Sequence, residues 1–155
     1  MKFLAFASRN TKELLRDPLN LVFGIGFPVV ILLLLSAIEA NVPVELFEIE
    51  MLAPGIVVFG FSFISLFSST LIAKDRTTSF LSRLLASPLT ASDFILGYAL
   101  PLLPIALLQG AICFVLSFLL DLPVNLNALL TLAVLIPAAV LFIGIGLLAG
   151  TIFNE

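Results

Sequence analysis

The sequence predicts an all-α membrane protein with four transmembrane helices, and three observations predict it. Four uncharged apolar runs, at about residues 18–38, 51–73, 94–120 and 128–153, each reach the ~20 residues a helix needs to cross the hydrocarbon. Charged residues make up 11% of the 155, against about 25% in an average soluble domain, and they cluster between the runs. All seven bases, Lys2, Arg9, Lys12, Arg16, Lys74, Arg76 and Arg83, fall in the N-terminal segment or in the central interval from Lys74 to Asp93. The two other intervals carry Glu39, Glu45, Glu48, Glu50 and Asp121 and no base. The positive-inside bias then puts the N-terminus and the central interval in the cytoplasm, and an even number of crossings brings the C-terminus to the same side. The expected organisation is an interfacial helix over residues 1–17 and a single transmembrane domain over 18–155, in the plasma or inner membrane.

The N-terminal segment places Phe3, Leu4, Ala7, Thr11, Leu14 and Leu15 on one arc of a helical wheel and Lys2, Arg9, Lys12, Glu13 and Arg16 on the other. That pattern predicts an amphipathic helix lying in the interface plane, apolar face down. Asp17 precedes Pro18, which should end the helix and turn the chain into the bilayer. A secretory signal is the competing reading, but its charged region would be unusually long and its apolar core exceeds the usual ~7–15 residues.

In the first span Gly24, Gly26 and Pro28 suit close packing in a membrane, where neighbours satisfy the backbone groups a proline frees. In the second, Ser62, Ser65 and Ser69 project from one side with Ser68 and Thr70 flanking. That stripe should face protein or a wet cavity, either as interhelical hydrogen bonding or as the lining of a translocation path.

In the central interval, KDRTTSFLSRLLASPLTASD, Phe80, Leu81, Leu84 and Leu85 recur at helical spacing opposite Ser79, Ser82 and Arg83. Thr77 or Thr78 would cap a short amphipathic helix, and Pro88 would stop it. An ordinary connector whose leucines rest on headgroups is the alternative.

Thr90 and Asp93 have the spacing of a capping box at the start of the third span. Pro101 and Pro104 should bend or break that span, and Gln109, near mid-depth, should point inward to a partner. Cys113 reads as a small packing residue. In the fourth span, the segment GIGLLAG loosely fits a nucleotide-binding fingerprint, but no strand-loop-helix unit surrounds it. Gly146 and Gly150 are better explained as a helix-packing face.

The available chemistry is narrow. No acidic or basic residue lies within the proposed spans, and the chain has no histidine and one cysteine. This disfavours proton-coupled pumps and intramembrane enzymes, although a sodium-coupled carrier built on backbone carbonyls stays open. No repeated charged ring or filter-like loop supports a channel. No G-x-x-x-x-G-K-[ST] run exists, so the chain should not hydrolyse ATP, and no cofactor is expected to bind to it.

Several pieces in order carry a resemblance: Arg16-Asp17-Pro18, Phe27-Pro28, Leu52-Ala53-Pro54-Gly55-Ile56, and Phe80-Leu81-x-Arg83-Leu84-Leu85-x-Ser87-Pro88-Leu89 followed by Ile95-Leu96-Gly97. Over essentially its whole length the chain resembles the permease subunits of type 2 ABC transporters. The resemblance implies an exporter in which two permease copies pair and each binds a separate or fused ATPase carrying ATP and magnesium. It further implies that Phe80, Leu81, Arg83, Leu84 and Leu85 belong to a cytoplasmic coupling helix. Two departures stand out. The family commonly has an acidic, glycine-containing segment where this chain has Asp75-Arg76-Thr77-Thr78-Ser79, and it has about six spans where this sequence shows four, so a fragment or truncated product is expected. Uncharged, serine-bearing spans suit amphipathic or apolar cargo such as drugs, lipids or lipid-linked glycans. A non-transporting membrane scaffold is the competing reading, and no nucleic-acid partner is expected.

Overall fold

The computed structural model describes residues 2–42 and 48–152, without the side chains of Lys2, Ser79, Leu81 and Leu85. Glu45 and Phe153, which figured in the second interval and the fourth run, lie outside the described residues. All regular structure among the described residues is helical, and four helical stretches are long and apolar enough to cross a membrane: Pro18–Glu39, Ile49–Thr77, Ala91–Leu119 and Leu126–Ile152.

Helix α1 spans Lys2–Arg16 and ends where expected, because Asp17 takes an extended backbone and its carboxylate caps the next helix by accepting from the Leu19 N–H at 3.1 Å. The first crossing is then assembled from α2 (Pro18–Leu21), a π-helical turn (Val22–Gly26) and α3 (Phe27–Glu39). The wide turn precedes Pro28, which has no N–H to offer the carbonyl four residues back, and the Phe27 N–H reaches instead to Val22 O.

Helix α4 (Ile49–Thr77) has 29 residues, or about 43 Å, so it outruns a hydrocarbon core of about 30 Å. Lys74, Asp75 and Arg76, placed by sequence in a loop, are therefore the last helical turn of the second crossing. Thr78 breaks the helix with an extended backbone and caps α5 (Ser79–Leu85), its hydroxyl accepting from the Phe80 N–H. Helix α6 (Ala91–Leu119) opens with the full Thr90–Asp93 capping box. Of the bend or break expected at Pro101 and Pro104, the break does not occur, since the helix continues through both. A Schellman turn closes it: Asp121 adopts a left-handed φ of 69°, the Leu122 N–H bonds to Ser117 O at 3.0 Å, and Leu122 tucks into the core. Helix α7 (Leu126–Ile152) starts from Asn125, whose side chain accepts from the Ala128 N–H at 2.8 Å.

The centre of the bundle is the pair α4 and α7. A Cβ on Gly146 would collide with the Ser65 carbonyl, and one on Gly150 would press on the backbone of Ser69, so these glycines let the two backbones meet. Ser68 adds a hydrogen bond from its hydroxyl to Ile143 O at 3.1 Å. Val57, Phe61, Ile64, Leu102, Ala106 and Ala139 fill the core around that seam, while Leu33, Leu108, Val134 and Leu148 point outward as a lipid-facing surface should.

Candidate functional site

Buried and charged polar side chains form one bonded network where α1, the end of α4, α5 and the start of α6 meet. Helix α1 packs against the bundle. Its buried stripe is Phe6, Ala7, Asn10 and Leu14, packed chiefly along α6, whereas Leu4 and Leu15, assigned by sequence to the apolar arc, remain exposed.

Two local arrangements fix this docking. Gly97 leaves room for the Phe6 ring, since a Cβ there would strike it, and Phe6 meets Tyr98 edge-on with centroids 4.8 Å apart. Asn10, fully buried, donates from Nδ2 to Gly97 O at 3.0 Å. In a regular helix that carbonyl would accept from the N–H of residue 101. That residue is Pro101 and has none, so the asparagine supplies the missing donor and lets α6 pass through the proline intact.

Asp75 is the hub. Its side chain is 2% exposed, and Oδ2 accepts from Arg9 Nη1 at 2.6 Å and from the Tyr98 hydroxyl at 2.9 Å. An unpaired carboxylate at such a site would be strongly disfavoured, so the cation and the phenol answer a need created by burial. Arg9 is 37% exposed and also pairs with Glu13 at 2.9 Å; Glu13 in turn binds Lys74 at 2.7 Å. The hydrogen bond to Asp75 is the main reason the Arg9 guanidinium is held above its ordinary pKa, with burial pulling the other way. By linkage, a raised basic pKa adds stability that is fully present below the ordinary arginine value and is lost as the pH rises from there through the raised one, so this contribution is intact throughout the physiological range.

Helix α5 is tied into this junction. The guanidinium carbon of Arg9 lies 4.2 Å from the centroid of the Phe80 ring, and Phe6 flanks the same ring at 6.1 Å. Of the residues expected to form a docking face, Phe80 and Leu84 are half-buried against the core cluster, and Arg83 is exposed. The side chains of Leu81 and Leu85 lie outside the described set.

The residues expected to line a path are distributed differently. Ser62 is exposed, while Ser65 and Ser69 are half-buried with their backbones under Gly146 and Gly150. Gln109 is fully buried on a neighbouring flank of α4, where Nε2 donates to Val57 O at 3.2 Å and Oε1 has no partner among the described residues. Ser65, Ser69 and Gln109 thus sit at helix seams within this chain. Among the described residues, no group of three or more His, Cys, Asp or Glu side chains could hold a metal ion.

Sequence reasoning missed Asp75, Asn10 and Tyr98. Signals existed: Asn10 interrupts an otherwise apolar stripe at helical spacing, and Tyr98 is the sole tyrosine of the chain.

A bundle of four long apolar helices, with a charged junction tying α1 to two of them, defines a multi-pass membrane protein. The chain belongs to the ABC-2 type transporter family, whose model matches residues 1–155. No curated protein and no solved structure matches it. Family membership gives the chain a permease role in an ABC transporter, and it implies in general an ATP-binding subunit as partner.

Proposed function

We propose that this chain is the membrane-spanning subunit of an ATP-driven exporter in the cell membrane, with both termini and α5 in the cytoplasm. Nucleotide and magnesium are held by the ATP-binding partner, since the chain has no Walker-type run. A second permease copy completes the unit. The cargo is amphipathic or apolar, a drug, lipid or lipid-linked glycan, in keeping with spans whose outward surfaces carry few polar groups beyond serine.

One observation carries the mechanism: α5 leans through Phe80 on Arg9 and Phe6 of α1, and Arg9 is bound to Asp75 at the end of α4. A push on α5 by closing ATPase domains therefore reaches α1 and two crossings at once. Arg83 and the outer side of the Leu84–Leu85 turn offer the partner its contact. Tilting α4 and α6 together would alternate the bundle between cytoplasm-open and outside-open forms.

The test is reconstitution with the cognate ATPase, measuring hydrolysis and export in parallel. Replacing Leu84 and Leu85 with glutamate should abolish export while hydrolysis and membrane insertion persist. Arg83→Glu, at an exposed position, should give a milder version of the same split. Export at the original rate in both variants rejects the assignment.

A further inference from the structure

Beside the ion pairs of the junction lies a groove of about 740 Å³, lined by Arg9, Lys12, Arg16 and Lys74 with Glu13 and Asp17 among them. Pro18, the first residue of the first crossing, also lines it. A second cavity of about 260 Å³ adjoins the groove, since Glu13, Asp17 and Lys74 border both. It opens between the first and second crossings, with Asn20 and Thr70 in its wall and Leu14, Phe67 and Leu71 as its apolar lining. No function described above uses Lys12, Arg16 or Asn20.

Charge and depth together select an occupant. Glu13 bridges Arg9 and Lys74 at 2.9 and 2.7 Å, and Asp17 accepts from the Leu19 N–H at 3.1 Å. Counting Asp75, which Arg9 also binds, the four bases of the groove face three carboxylates and keep a surplus of one positive charge. Lys12 and Arg16 are exposed and, like the half-buried Asn20, form no side-chain hydrogen bond or ion pair with a described residue. Asn20 stands in the first turn of the first crossing, and Leu19, Val22 and Phe23 of the same stretch are exposed. Down that crossing the order is cation, amide donor, apolar surface. Phosphate, ester and acyl tail follow one another in the same order in a glycerophospholipid leaflet, and bases clustered beside a crossing helix attract anionic lipids. An acidic protein segment would engage the bases but has nothing to match the amide and the apolar surface beneath them.

We infer that the groove binds the headgroup of one anionic glycerophospholipid, its phosphate between Lys12 and Arg16 and an ester carbonyl accepting from the Asn20 amide. The lipid would sit where the extended backbone of Asp17 turns the chain from α1 into the first crossing, and so would fasten the one to the other from the membrane side.

The test is native mass spectrometry of the full chain purified in mild detergent and offered phosphatidylglycerol or phosphatidylcholine with identical tails. The wild-type protein should retain one phosphatidylglycerol with about a fivefold preference, the size expected for one surplus base at an anionic surface. Lys12→Gln combined with Arg16→Gln, both at exposed positions, should abolish the preference at an unchanged melting temperature. The amide is read separately through a diether phosphatidylglycerol, which lacks the ester carbonyl. The wild-type protein should retain it about threefold less than the diester form, the scale of one hydrogen bond, and Asn20→Leu should retain the two equally. Equal retention of the two headgroups by the wild-type protein overturns the inference, as does an undiminished preference in the folded double variant or equal retention of ester and ether lipids by the wild-type chain. Displacement of the lipid by millimolar inorganic phosphate or by a glutamate-rich peptide, at constant ionic strength, assigns the groove to a soluble anion and likewise overturns it.

Discussion

Arg9 and Asp75, 66 residues apart in sequence, meet at 2.6 Å and join the N-terminal helix to the end of the second crossing. Because Asp75 is buried, the pair is sensitive to removal of one member. Asp75→Ala should cost about 3–5 kcal/mol, since Arg9 and the Tyr98 hydroxyl lose their common acceptor. The double replacement Arg9→Met, Asp75→Leu should cost clearly less than the sum of its single changes. Melting of the purified variants in detergent, arranged as a double-mutant cycle, measures this, and strict additivity would contradict the pairing.

The bond from Asn10 to Gly97 O makes a sharper prediction. Asn10→Leu should destabilise by about 1–3 kcal/mol, because it orphans a buried carbonyl that Pro101 already deprives of its helical donor. In a Pro101→Ala background the N–H of residue 101 returns to that carbonyl, and the penalty of Asn10→Leu should fall by at least half. An equal penalty in both backgrounds would show that Asn10 does not stand in for the proline.

Two glycines of α7 should respond in opposite directions. Gly146→Ala places a methyl against the Ser65 carbonyl and should cost about 1–3 kcal/mol by forcing α4 and α7 apart. Gly144→Ala, with open space at its Cβ, should stabilise by about 0.5–1 kcal/mol through helix propensity. Parallel melts of the two proteins suffice, and a loss of stability at position 144 matching that at 146 would remove the distinction.

The crossings, the Thr90–Asp93 cap and the Gly146–Gly150 seam were legible because each rests on a local pattern: a long uncharged run, a fixed capping interval, a four-residue spacing of small residues. The junction was not, because it depends on which surfaces meet. Nothing within the first 17 residues shows that part of the apolar arc packs on α6, since a protein surface and a lipid surface both reward an apolar face. Asp75 lies between Lys74 and Arg76 with no local signal of burial, yet the long second crossing carries it under Arg9 and Tyr98. The uninterrupted path of α6 through Pro101 depends on a donor 91 positions earlier, at Asn10, which no local rule supplies.

The dependence of α1 on partners so far along the chain imposes a schedule on biosynthesis. Arg9 and Asn10 leave the ribosome early, but their acceptors at Asp75 and Gly97 are made 66 and 87 residues later. At elongation rates of about 5–20 residues per second, the nascent N-terminal helix waits roughly 5–20 s before it can dock. During that interval its greasy stripe must be sheltered by lipid or by the insertion machinery, so the surface that ends as a protein contact begins as a temporary membrane float.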